Sequence, residues 1–249
     1  MRRVVAAALA LVVFGACKVD VSVGVNARAD GSGEVRVTAV LDEDAAKRVE
    51  AAGATLRTED LEAAGWTVDE PETAKDGSVT HVVRHRFETT REAERILAQL
   101  GADNSDTGSE APLRDFVVTQ KRSFFRTETS FRGTVDLARG AEAFSDARLQ
   151  ETLDGQPLGV PVEQLERQLG ASFDRIFGLQ VAVRLPGDVE SNAPTETDNG
   201  AVWAPKLGER VDLAADAARW NVRNIALLVV SVVAALALGA VLLVRRLSR

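Results

Sequence analysis

His81 and His85 are the only histidines in the 249-residue chain. On a helix their i, i+4 spacing would bring two imidazoles to one metal ion. The run Val79 to Phe87 that carries them is rich in β-formers, and on a strand residues four apart share a face but stand about 13 Å from one another. One zinc ion cannot bridge that gap, and no third ligand stands nearby, so the two histidines read as part of a solvated strand face. Ser32 lies between two glycines, but Asp30-Gly31-Ser32-Gly33 is turn chemistry, not a nucleophile elbow, and lacks the Lys and spacing of a phosphate loop. The acid pair Asp42/Asp44 is what a helix start selects. Nucleophilic and general-base catalysis therefore have little to work with. The expectation is a protein that is not an enzyme, with no metal and no cofactor.

Cys17 is the single cysteine and cannot form an internal disulfide. Met1-Arg2-Arg3, the apolar run Val4 to Phe14 and the small residues Gly15-Ala16 precede it. A basic start, a short apolar stretch and a small-residue cleavage site make a secretory signal. The run is too short to span a bilayer, which takes about twenty apolar residues. Phe14-Gly15-Ala16-Cys17 has the form of a bacterial lipobox, with Phe14 where Leu is typical, so Cys17 is the expected site of lipidation. An ordinary signal cleaved near a chance cysteine is the alternative.

The other chemistry-bearing segment is Arg114 to Arg132. It interleaves Arg114, Lys121, Arg122, Arg126 and Arg132 with Phe116, Phe124, Phe125 and Phe131. Such a mixture could hold an anionic head group beside an apolar tail, and Arg122, Phe124, Phe125 and Arg126 are the candidate ligand contacts. The favoured reading of the same segment is a strand pair with one core face and one Arg-rich solvent face.

The elements that must position these residues follow from periodicity and punctuation. Val19 to Val25 and Glu34 to Val40 alternate around Asp30-Gly31-Ser32-Gly33, a β-hairpin. Asp42-Glu43-Asp44 opens a helix through Gly53, and Thr58 caps another over Glu59 to Ala64. Strands follow around the Lys75-Asp76-Gly77-Ser78 turn. Thr89 to Glu92 forms a capping box for a helix through Leu100, then a polar loop runs from Gly101 to Glu110. Phe116 to Leu137 forms two strands. Helices are expected over Ala141 to Leu153 and Pro161 to Leu169. Strands come next over Leu179 to Leu185 and, after the Asp198-Asn199-Gly200 turn, Ala201 to Trp203. Val211 to Leu213 is the last strand candidate. This order predicts an α+β fold with a mostly antiparallel sheet and several helices.

Ile225 to Val244 runs without a charge, long enough as a helix to cross the roughly 30 Å hydrocarbon core. Trp220 stands where an interfacial anchor would, and Arg245, Arg246 and Arg249 follow on the side expected to be cytoplasmic. Ser231, Ala235 and Gly239 recur every four residues, a stripe that would permit self-association. The expected organisation is a signal peptide over 1–16, an exported domain over 17–220, a transmembrane helix over 221–244 and a basic cytoplasmic tail over 245–249. The formal net charge is −7. Arg2, Arg3, Arg245, Arg246 and Arg249 lie outside the exported part, which leaves it 25 basic against 37 acidic side chains. That balance repels nucleic acid overall.

A lipobox Cys17 followed directly by a Val-rich strand and an Asp-Gly-Ser-Gly turn resembles the LppM-like lipoproteins of actinobacteria. So do Val183-Arg184-Leu185-Pro186-Gly187-Asp188-Val189, Asp198-Asn199-Gly200, Trp203 and the terminal apolar segment. The resemblance implies a domain at the cell surface that binds a lipid or lipoglycan of the envelope, and it brings no catalytic residues. The alternative is a non-catalytic module that docks another envelope protein or a host surface.

Overall fold

The computed structural model describes residues 18–51, 58–101, 111–140 and 172–248. Cys17, the signal segment 1–16, most of the polar loop after Gly101, and the helices expected over Ala141 to Leu153 and Pro161 to Leu169 lie outside the described residues.

Strands β1 (Val19–Ala27) and β2 (Gly33–Leu41) form the expected hairpin, in register from Val19 opposite Leu41 to Ala27 opposite Gly33. The Asp30 carboxylate accepts from the Ser32 amide at 3.0 Å and from its hydroxyl at 2.7 Å. Gly31 takes a φ of 93°, which glycine adopts without a Cβ clash. Helices α1 (Glu43–Ala51) and α2 (Thr58–Ala63) follow, then β3 (Thr67–Val68), β4 (Glu72–Thr73) and β5 (Val79–Phe87). Helix α3 (Thr90–Gly101) starts on a variant of the capping box: the Glu92 amide donates to the Thr89 hydroxyl at 3.3 Å, while the Glu92 carboxylate reaches one residue further back, to the Glu88 amide, at 2.8 Å.

Strands β6 (Leu113–Arg122) and β7 (Arg126–Asp136) are the expected pair. A short helix α4 (Phe173–Ile176) leads into β8 (Phe177–Arg184). After it come β9 (Asp188–Ser191), β10 (Thr195–Thr197), β11 (Gly200–Trp203), β12 (Arg210–Trp220) and helix α5 (Val222–Leu247). The fold is α+β, but its strands form two sheets where one was expected. The first runs β10-β11-β8-β1-β2-β5-β3, with β4 also on β5, and the second runs β6-β7-β12-β9. Only β1–β8 pairs in parallel among these ladders; the rest are antiparallel.

One apolar cluster joins the sheets. Val23, Val25, Val35, Phe87, Val181 and Trp203 of the first meet Phe116, Val118, Phe131 and Val135 of the second, with Ile96 and Leu97 of α3. Phe131 bridges them, its ring centroid 5.7 Å from Phe116 and 6.2 Å from Trp203. Phe116 reaches this position because a bulge breaks the ladder between Arg114 and Val117, with Asp115 at φ 58°. Leu113 faces inward before the bulge, and Phe116 and Val118 after it.

β12 is far longer than the Val211 to Leu213 expected. It pairs with β7 from Arg210 to Trp220 and with β9 from Ala215 to Ala218. Its second half, Ala214-Ala215-Asp216-Ala217-Ala218, has weak strand propensity. Ala215 and Ala217 are nevertheless buried, next in the inward alternation after Leu213. A central position between two partners overrides the local preference. One residue, Asn221, separates β12 from α5.

Candidate functional site

The four candidate contacts gather at the tip of the β6–β7 hairpin, beside the first turn of α5. Phe124 and Phe125 occupy the turn and are 54% and 44% exposed. Their rings pack edge to face, centroids 4.9 Å apart. The turn closes through Ser123, whose amide and hydroxyl both donate to the Arg126 carbonyl at 2.8 Å.

Two asparagines fasten this turn to the helix. Asn221 Nδ2 donates to the Ser123 carbonyl at 2.9 Å, Asn224 Nδ2 to the Phe124 carbonyl at 2.8 Å, and the Asn221 amide to the Phe125 carbonyl at 2.7 Å. Thr127, buried on β7, donates its hydroxyl to Asn221 Oδ1 at 3.0 Å. Asn221 stands at the N-cap position but makes no side-chain capping bond, because its side chain is committed to the hairpin. All three carbonyls of Ser123-Phe124-Phe125 thus have donors.

Arginines surround the tip. Arg126 pairs across the strands with Trp220, its guanidinium carbon 6.0 Å from the indole centroid, and lies 3.4 Å from a Glu128 oxygen. Arg122 Nη2 donates to the Ala29 carbonyl at 2.6 Å, and Gln120 Nε2 to the Arg28 carbonyl at 3.2 Å. These two bonds bring the β1–β2 turn of the first sheet to the hairpin tip of the second. Between them lies a cleft of about 390 Å³, whose lining includes Arg122, Arg219, Arg223, Trp220, Asn221 and Asp30. The Ser32 hydroxyl and amide hold the Asp30 carboxyl below the usual carboxylate range, so it stays ionised. Arg219 and Arg223 have no ion-pair partner among the described residues.

The rest of the Arg/Phe segment divides as a strand pair should. Phe116 and Phe131 are buried, while Arg132 forks onto Asp216 at 2.9 and 2.8 Å on the outer face. Arg114 is paired with Asp136. Asn221 and Asn224 were not singled out by sequence reasoning; the signal available was two amides, one just before and one in the first turn of a long apolar helix.

α5 is long and apolar enough to cross a membrane, and none of its most apolar eighteen residues is buried. Along its stripe, Ser231 donates its hydroxyl to the Leu227 carbonyl one turn back. The histidines stand differently from the expectation. They share a strand face, but it is the core-side face, which also carries the buried Phe87. His85 meets Trp66 edge-on at 5.5 Å, and His81 lines an apolar groove of about 520 Å³ with Leu41, Ala46, Val49 and Val79. The odd-numbered residues of β5 pair with Val35, Val37 and Ala39 of β2, and that register turns both rings inward.

No family model matches the chain, and no curated protein matches it. Among solved structures, the NMR structure of the Mycobacterium tuberculosis LppM protein folded domain is similar, with a TM-score of 0.46 and 14% sequence identity over 86% of this chain and 97% of that chain. It is a distant likeness.

Proposed function

We propose that the chain is a non-catalytic lipoprotein of the cell envelope, anchored by an acyl group on Cys17 and by α5, with its domain outside the cytoplasm and an envelope lipid or lipoglycan as its ligand. The observation that carries this reading is the exposed Phe124-Phe125 turn fastened to the foot of an exposed apolar helix. A monomeric soluble domain keeps such apolar surface small, and here it is continuous with a segment suited to a bilayer. The sequence features at Cys17 and the resemblance to LppM-like lipoproteins point the same way.

The test is membrane fractionation and native mass spectrometry of the full chain, wild type and Cys17→Ala. The expected result is an acylated wild type, retention of the variant in the membrane through α5, and a co-purifying lipid on both. Recovery of the variant in the soluble fraction would remove the span. A lipid-free mass, unchanged after incubation with envelope lipid extract, would shift the reading to protein docking.

A further inference from the structure

We propose that the cleft between the β6–β7 tip and the foot of α5 binds the phosphate of an anionic phospholipid, while Phe124 and Phe125 enter the boundary between head groups and acyl chains of the same leaflet. The proposal rests on the reading of α5 as a membrane span and specifies what its foot recognises.

Charge is the first argument. Three guanidinium groups, from Arg122, Arg219 and Arg223, face a cleft with one carboxylate, Asp30. That carboxylate is already engaged by the Ser32 amide and hydroxyl. The bond of Arg122 goes to a neutral carbonyl, which leaves most of its five donors free for another acceptor. Guanidinium groups suit phosphate oxygens because two parallel N–H bonds can form at once. The cluster also runs against the acidic balance of the rest of the domain, so an anionic surface attracts this end and repels the others. It accounts for Arg219 and Arg223 on the N-terminal flank of α5, where the bias of basic residues to the cytoplasmic end would not place them.

The turn itself is the second argument. An apolar tip enters the head-group boundary at lower cost the more of its backbone carbonyls are already satisfied. The carbonyls of Ser123, Phe124 and Phe125 all accept hydrogen bonds from Asn221 or Asn224. The rings are exposed together, and Val222, in the first turn of the helix that fastens them, is 71% exposed. Trp220 completes the foot, with an apolar body and an N–H suited to the head-group level.

The experiment uses the full chain in nanodiscs of phosphatidylcholine, with and without phosphatidylglycerol. Native mass spectrometry after release reads the retained lipid. Quenching by bromine-labelled acyl chains reads the depth of Trp220, since Trp66 and Trp203 are 5% and 1% exposed and far less accessible to lipid. Wild type is expected to retain phosphatidylglycerol in preference to phosphatidylcholine. Arg122→Gln/Arg219→Gln/Arg223→Gln should weaken that preference by about fivefold per arginine, about a hundredfold in all, and the corresponding triple Lys variant should restore part of it. Phe124→Ser/Phe125→Ser should stay inserted through α5 but lose Trp220 quenching. Equal retention by wild type and the Gln variant, or a Trp220 still open to aqueous iodide in the nanodisc, overturns the proposal while leaving the span intact. Failure of the wild-type chain to enter nanodiscs overturns the span itself.

Discussion

At the scale of the residue, Asn221 makes the most of one side chain. Its amide nitrogen serves the Ser123 carbonyl and its oxygen accepts from Thr127. Removing one partner of a partly buried hydrogen bond costs about 1–3 kcal/mol. Asn221→Ala should therefore lower stability by about 1–2 kcal/mol in chemical denaturation. Asn221→Asp, which could still cap α5 but cannot donate, should be little better, and a variant as stable as wild type would show that the clasp is incidental. Asp216 gives a pH signature. The fork from Arg132, with help from Ser130, holds its carboxyl below the usual carboxylate range. A depressed folded-state value means the contribution is fully present above the unfolded value, near pH 4, and is lost as pH falls through the folded one. Both side chains are half exposed, so the amount is at most about 1 kcal/mol. Asp216→Asn should be less stable than wild type at pH 7, and the difference should shrink below about pH 4 when melting is followed across pH.

At the scale of the element, hairpins were the easiest features to read. Asp30-Gly31-Ser32 and Asp76-Gly77-Ser78 each carry the turn in three residues: a glycine at positive φ and an aspartate accepting from the serine amide and hydroxyl. The bulge in β6 was not legible, because a left-handed Asp115 leaves no mark in an alternation of apolar and polar residues. Its consequence sits at Gly133 on β7, where an added Cβ would lie 2.1 Å from the Phe116 ring. Gly133→Ala should cost about 1–3 kcal/mol through overpacking. Adding Phe116→Leu should recover part of that loss if the clash is the cause, and additive losses in the double variant would argue for another one. β12 was legible only over Val211 to Leu213, since alanines alternate with alanines beyond and hide the period of two.

At the scale of the whole molecule, Lys18 and the foot of α5 lie at opposite ends of β1. The Asp42 amide donates to the Lys18 carbonyl at one end, next to Cys17 in the chain. The foot of α5 meets Ala29 and Asp30 at the other. The nine residues of β1 separate the two by about 26 Å. An acyl group on Cys17 and the span of α5 can share one bilayer only if β1 lies along the membrane plane. Such a placement would bring the whole length of the first strand near the membrane surface. A spin label at Glu43→Cys, at the Lys18 end, should sit near the head groups in the acylated chain and move into water in a Cys17→Ser background, as read by power saturation. A label in water in both would mean that the acyl group does not hold that end down.

Much of this protein was fixed by local chemistry alone. The β1–β2 and β6–β7 strand pairs, strands β5, β8 and β11, helices α1 to α3, the two Asp-Gly-Ser turns, the apolar terminal helix and the Phe-Arg segment all follow from side-chain type and short-range spacing, which act over a few residues of chain. The partition of the strands into two sheets, the inward face of the histidines and the strand formed by Ala214 to Ala218 were decided by tertiary pairing. So was the meeting of Arg122 with Arg219 and Arg223, nearly a hundred residues apart in sequence, which depends on β6 and β12 flanking β7 and on the clasp of Asn221. Contacts of that range are set by which faces can be buried together, and neither composition nor periodicity records which strand will lie beside which.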